Sequence, residues 1–266
     1  MLHSPPSPRP ARPAPDIRRV SPGSGMRWWA ESVAWLFTDF PRVSSWVGMA
    51  LLALLILLPL HWIPLVGSVV AHLLWFVLAG GLMAAARTSA QGMTPPIGTL
   101  FSGFGPPAGR LFLVGLLVLL AVGAVLGLLL ALGLGTAFGM VLNANSLLDT
   151  GALPLADLGL GGWAALAMLA CLFLFAPICQ AAWLAPALVM LDGIAPLDAL
   201  HLSLSASARN LGALTVYGLV FVVLATIATM TFVGLLFLLP LATLSSYAAY
   251  RDLVAAPDSE ALPSRT

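Results

Sequence analysis

The sequence predicts an all-α fold: a polytopic transmembrane helical bundle of six spans, arranged as three hairpins with cytoplasmic interfacial helices. Three observations carry this reading. Hydrophobic residues make up 60% of the 266-residue chain and charged residues 8%, against roughly 45–50% and 25% in an ordinary soluble domain, so there are too few charges to coat a water-facing surface. Apolar runs reach the roughly 20 helical residues needed to cross a bilayer's hydrocarbon core. The basic residues, all of them arginine, fall on alternate connecting segments, as short cytoplasmic loops collect them.

Residues 1–25 hold seven prolines and no apolar stretch, which predicts a disordered Pro- and Arg-rich tail and not a cleavable signal peptide. Met26 offers an alternative start. Residues 26–254 read as one transmembrane domain and 255–266 as a flexible tail. In Met26–Arg42, Trp28, Trp35 and Phe37 mark an apolar side while Arg27, Glu31 and Asp39 stay polar, the pattern of a helix lying along the interface.

The first spans, 43–60 and 64–86, form a tight hairpin across the turn Pro59–Pro64, with Trp46 and Trp62 near its ends, where an indole is stable at headgroup level. The third run, 111–142, is uncharged over 32 residues, about 48 Å if wholly helical, so it tilts, bends at a glycine or projects beyond the lipid. Asn143–Gly162 reads as a loop. The fourth span, 163–191, contains Pro177 and Pro186. Leu211–Tyr250 is too long for one crossing and divides around Thr229–Gly234 into spans 211–228 and 233–250.

Six spans with both termini inside place all eleven arginines on the cytoplasmic side and leave Asp149, Asp157 and His61 outside. Five spans would export Arg251. Each hairpin follows a mixed polar and apolar stretch, Met26–Arg42, Thr94–Arg110 or Ala195–Asn210. Val66-Gly67 and Val233-Gly234 recur at equivalent places in the first and third units. These are parallel repeats of one interfacial element plus one hairpin.

Together "IRRVSPGSGMRWWAES", "LFSGF", "APALVMLDGIAPLDALHLSLSASARN" and "YAAYRDL" resemble an uncharacterised family of bacterial six-helix integral inner-membrane proteins over about Ile17–Val254. Asp192–Ser203 is the most specific part of the likeness. The resemblance implies an inner-membrane location and this fold, makes a start near Ile17 meaningful, and brings no activity, cofactor or catalytic residue with it.

Asp192 with Gly193 suits a helix C-terminus capped by a left-handed glycine, the carboxylate pairing with Arg209 or Arg87; a carboxylate at membrane depth would instead point to function. Pro196 suits a first helical turn, and Asp198 near that N-terminus is favoured by the helix dipole. Leu197, Leu200, Leu204, Ala208 and Leu211 share one face of the helix that follows, opposite Asp198, Ser205 and Arg209. Ser203, Ser205 and Ser207 read as hydroxyls solvating a cytoplasmic face, since no nucleophile elbow or base accompanies them.

His72, inside the second span, is either a proton relay or a neutral imidazole bonded to a neighbouring helix. The stretch "FAPICQAAWLAP" places Pro177 and Gln180 in mid-span, so Pro177, Gln180 and His72 are the candidate lining of a polar cavity, with plain structural proline as the competing reading. Gly123-x-x-x-Gly127 and Gly135-x-x-x-Gly139 allow close helix approach, and with it a homo-oligomer or contact with another membrane protein. Cys171 and Cys179 read as small hydrophobes. No metal-ligand spacing, cofactor motif, nucleic-acid patch or catalytic constellation appears. The expectation is a non-enzymatic interaction or envelope-support protein in the lipid bilayer, with a small transporter or channel as the alternative.

Overall fold

A computed structural model describes residues 16–131 and 161–255. Its helices are α1 (Ser24–Leu36), α2 (Phe40–Leu60), α3 (Val66–Ala90), a 3-10 helix (Ile97–Phe104), α4 (Ala108–Ala131), α5 (Gly161–Leu191), α6 (Pro196–Arg209), α7 (Leu211–Thr229) and α8 (Phe232–Leu253). The chain is an all-α polytopic bundle. Among the described residues, α2, α3, α4, α7 and the Leu169–Leu191 part of α5 are long and apolar enough to cross a membrane. The 22-residue α8 packs along α7. The expected tail 1–15, the end of the third run, the loop Asn143–Leu160, the Gly135/Gly139 spacing and residues 256–266 lie outside the described residues.

Each start and stop has a local cause. Asp39 accepts the Arg42 amide at 2.8 Å and Pro41 occupies the first turn of α2, where its missing N–H is harmless. The hairpin α2–α3 closes because Gly67 has no side chain: a Cβ there would lie 1.7 Å from the Leu60 carbonyl. Gly234 does the same for α7–α8, where a Cβ would come within 2.6 Å of Ala228 Cα. The recurring Val-Gly pair is thus the place where a returning helix crosses the end of its partner. Between α7 and α8 only Met230 and Thr231 are non-helical, and the Thr231 hydroxyl accepts the Gly234 amide at 3.1 Å.

Several expectations are corrected. Residues 16–23, assigned to the tail, are fixed: Asp16–Ile17 pairs antiparallel with Val254–Ala255, and the Asn210 amide accepts from Val20 at 2.8 Å and donates to Arg18 at 2.9 Å. The second interfacial stretch is a 3-10 turn pressed onto α3, because Gly81 and Gly103 let two backbones meet; a Cβ on either would come within 2.0 Å of a carbonyl across the contact. Gly123 and Gly127, read as helix-packing glycines, have nothing among the described residues within 4 Å of an added Cβ. The helix α5 runs unbroken through Pro177 and Pro186.

The serines of α6 are also corrected. Ser203 and Ser207 are buried, at 0% and 1% exposure, on the face α6 turns to α5 and its neighbours. Of the expected apolar stripe, Leu197 and Leu211 are 67% and 63% exposed while Leu200 packs against the core. At a bilayer an outward apolar stripe faces lipid, while small residues such as Ser203 and Ser207 permit close contact with protein.

Two apolar cores flank α8. One gathers Trp28, Leu111, Val114, Leu184 and Leu188 with Ala249 of α8; the other gathers Trp46, Met49, Leu78, Leu82 and Leu100 with Leu244 of α8. The helix α1 is packed on α7 and α8 through Trp28, Trp29, Ser32 and Leu36, whereas Phe37, expected on its greasy side, is exposed. Arg42 is buried at 3% exposure, donating to the carbonyls of Trp35 and Gly92 and to the Thr38 hydroxyl, with Asp39 at 3.5 Å.

Candidate functional site

α3, α5, α7 and α8 line an open-sided cavity of about 510 Å³, a volume typical of small-molecule sites. Its walls are mainly apolar and aromatic, with Trp75, Phe76, Trp183, Tyr217 and Phe221 supplying rings. Among the described residues, no Asp, Glu, Arg, Lys or His lines it. Its exposed lining residues, Trp75, Cys179 and Phe221, mark the side that faces out of the bundle.

The polar lining groups are mostly tied to one another. The Trp183 indole donates to Ser246 at 2.8 Å, the Tyr217 hydroxyl bonds Ser245 at 3.1 Å, and Thr243 donates to the Leu239 carbonyl at 2.9 Å. Behind Tyr217 stands α1: Trp29 stacks on its ring at 5.0 Å and donates to its carbonyl at 3.1 Å. Trp28 packs edge-on to the same ring, 6.0 Å between centroids. Residue Gln180 differs, since its half-buried side-chain amide makes no hydrogen bond among the described residues.

The three expected cavity residues do not assemble. Gln180 is in the wall, while Pro177 is exposed and outside it. His72 lies one turn before Phe76 and faces α4, its Nε2 3.2 Å from the Gly115 carbonyl and its ring 5.2 Å from Phe76. Trp183, Tyr217 and Ser246 were missed. Their signal was available as hydroxyls and indoles inside apolar runs, notably "SSYAAY".

The other singled-out residues form the polar end of the bundle. The Tyr250 hydroxyl donates to Asp192 at 2.7 Å, joining α8 to the end of α5. Gly193 takes φ +70°, and its carbonyl accepts from Arg110 at 2.6 Å; Ile194 returns its amide to Leu188 at 3.2 Å. Pro196 opens α6 and exposed Arg209 stands in its last turn. Alongside, Asp252 accepts from the Trp28 indole at 2.9 Å and from Arg27, while Arg251 lies 3.5 Å from Glu31 and 5.1 Å from the Trp35 ring centre.

Within the apolar contact between α5 and α6, where Leu184 and Leu188 meet Ala199 and Ala206, one hydroxyl adds a polar link. Ser203 Oγ donates to the Gln180 carbonyl at 2.6 Å and accepts from the Leu184 amide at 3.1 Å. Those groups are the two ends of one helical turn, just ahead of Pro186, whose ring crowds the carbonyl four residues back. The backbone behind the cavity's free amide is therefore held by α6.

No protein-family profile and no solved structure matches the chain. The chain is 30% identical over 222 residues to a probable inner membrane protein of Burkholderia thailandensis, covering 77% of this chain and 75% of that one. The alignment and the apolar helices agree on a multi-pass protein of the bacterial inner membrane, in contact with the lipid bilayer, and the chain belongs to the family of that probable inner membrane protein.

Proposed function

We propose that this inner-membrane protein acts without catalysing a reaction, as an embedded interaction or envelope-support component with six spans and both termini in the cytoplasm. The observation that supports this reading is the placement of its chemically capable groups. The Ser203 hydroxyl, the Trp183 indole, and the carboxylates of Asp192 and Asp252 each bind another helix of the same chain. Such groups fix a frame and leave large apolar residues outward, among them Leu172 and Phe173 of α5 at 65% and 79% exposure. In a bilayer that face meets lipid or the apolar side of a second copy or another membrane protein.

A photo-crosslinking residue at Phe173 in intact cells tests it. A discrete protein adduct is expected, and labelling of lipid alone would count against the reading.

A second reading, a small transporter or channel, is favoured by the cavity at Gln180. Solute uptake into proteoliposomes that is lost when the cavity is filled by Gly218→Phe would replace the first reading with this one.

A further inference from the structure

The cavity also carries information about what it accepts. Gln180 lies eleven residues before Leu191, the last residue of α5, about 16 Å at 1.5 Å per residue. Thr243 lies ten residues before Leu253, the last residue of α8, about 15 Å. The charged cluster of Arg27, Arg251 and Asp252 sits at that same end. Half of a 30 Å hydrocarbon layer is about 15 Å, so the cavity is near the bilayer midplane, and its exposed residues face lipid rather than water.

We propose that this cavity binds an uncharged, membrane-soluble ring compound bearing a carbonyl, the chemistry of an isoprenoid quinone, held by the Gln180 amide and the aromatic wall. The absence of charge among the lining residues excludes a phosphate or carboxylate headgroup, whose burial would be uncompensated. Gln180 offers an N–H donor with no partner among the described residues, and a ligand carbonyl accepts it. Trp75, Phe76, Trp183, Tyr217 and Phe221 present flat apolar surfaces, which favour a planar ring through offset or edge contacts over an acyl chain. At Gly218 an added Cβ meets nothing within 4 Å, so the wall opens there into free space. The inference goes beyond the interaction reading and stands whether or not the ligand is moved.

The test uses the full-length protein in phosphatidylcholine nanodiscs titrated with a fully ring-substituted decyl-benzoquinone, read by quenching of tryptophan fluorescence. Saturable quenching is expected. Gln180→Leu should raise the apparent Kd about fivefold to tenfold, the loss of one hydrogen bond. Gly218→Phe should abolish saturation while leaving elution volume and melting unchanged. Dioctanoylglycerol, which carries carbonyls but no ring, should not displace the probe. Quenching that rises linearly and identically in wild type and Gly218→Phe overturns the proposal; so does indifference to Gln180→Leu, and so does equal competition by dioctanoylglycerol.

Discussion

The Ser203 hydroxyl of α6 bridges the carbonyl and amide that flank one turn of α5, bonding Gln180 O at 2.6 Å and Leu184 N at 3.1 Å. Ser203 is fully buried, and the two groups it bridges are i, i+4 partners of α5 that still face each other when the hydroxyl goes. Ser203→Ala is therefore expected to lower stability by about 0.5–1.5 kcal/mol, the net worth of an intramolecular hydrogen bond. Half-buried Ser205, a turn-mate without such bonds, should tolerate alanine within about 0.5 kcal/mol. Thermal unfolding in a mild detergent, followed by retention of the monodisperse peak, separates the two; equal melting would remove the bridge from the account.

Asp192 joins the ends of α5 and α8 through Tyr250. Asp192→Ala should therefore reduce insertion or accumulation, and Tyr250→Phe should cost about 1–2 kcal/mol, since the charged acceptor loses a donor. Membrane-fraction immunoblots measure the first and detergent melting the second. Normal protein level and topology in Asp192→Ala, together with loss of a cellular phenotype, would assign the carboxylate to function instead.

Gly67 and Gly234 close their hairpins by having no side chain. Gly67→Ala sets a Cβ against the backbone carbonyl of Leu60, which cannot yield as a flexible side chain would. Its expected cost is about 1–3 kcal/mol, typical of overpacking, and Gly127→Ala, facing open space, should melt like wild type. Accumulation in membranes and melting temperature report both; a Gly67→Ala protein as stable as Gly127→Ala would show that the hairpin tolerates a wider crossing.

Six spans with inward termini require opposite fates for reporters fused after Asp149 and after Arg251. A cytoplasmic reporter should be active after Arg251 and inactive after Asp149, with a periplasmic reporter giving the reverse. The same side for both would exclude this topology.

The hairpins α2–α3 and α7–α8 were legible because a bilayer sets a length and punishes charge, so uninterrupted apolar runs mark the helices. Which side of a helix meets protein was less legible, because hydrophobicity does not distinguish the inside of a membrane bundle from its outside. Leu197 and Leu211 face outward for that reason, and Ser203 and Ser207 inward. Glycine spacing was equally ambiguous: Gly123 and Gly127 repeat at the right interval yet meet no neighbour among the described residues, while Gly81 and Gly103, far apart in sequence, let two backbones meet. Of the candidate cavity, Gln180 was legible as a lone amide in an apolar run. His72 stood out equally and is turned to α4, a direction set by helix rotation that no single-helix pattern encodes.

The clasp between the two ends of the described chain bears on the order of assembly. α1 leaves the ribosome first, but the surface that covers Trp28 and Trp29 belongs to α7 and α8, whose hydrogen-bonding partners Tyr217 and Asp252 are made 188 and 224 residues later. At about 5–20 residues per second, those indoles wait roughly 10–45 s for their partners. Only a finished chain can hide them, so exposed tryptophan on α1 marks an unfinished or truncated molecule, a signal that membrane quality control could read before the last helix has docked.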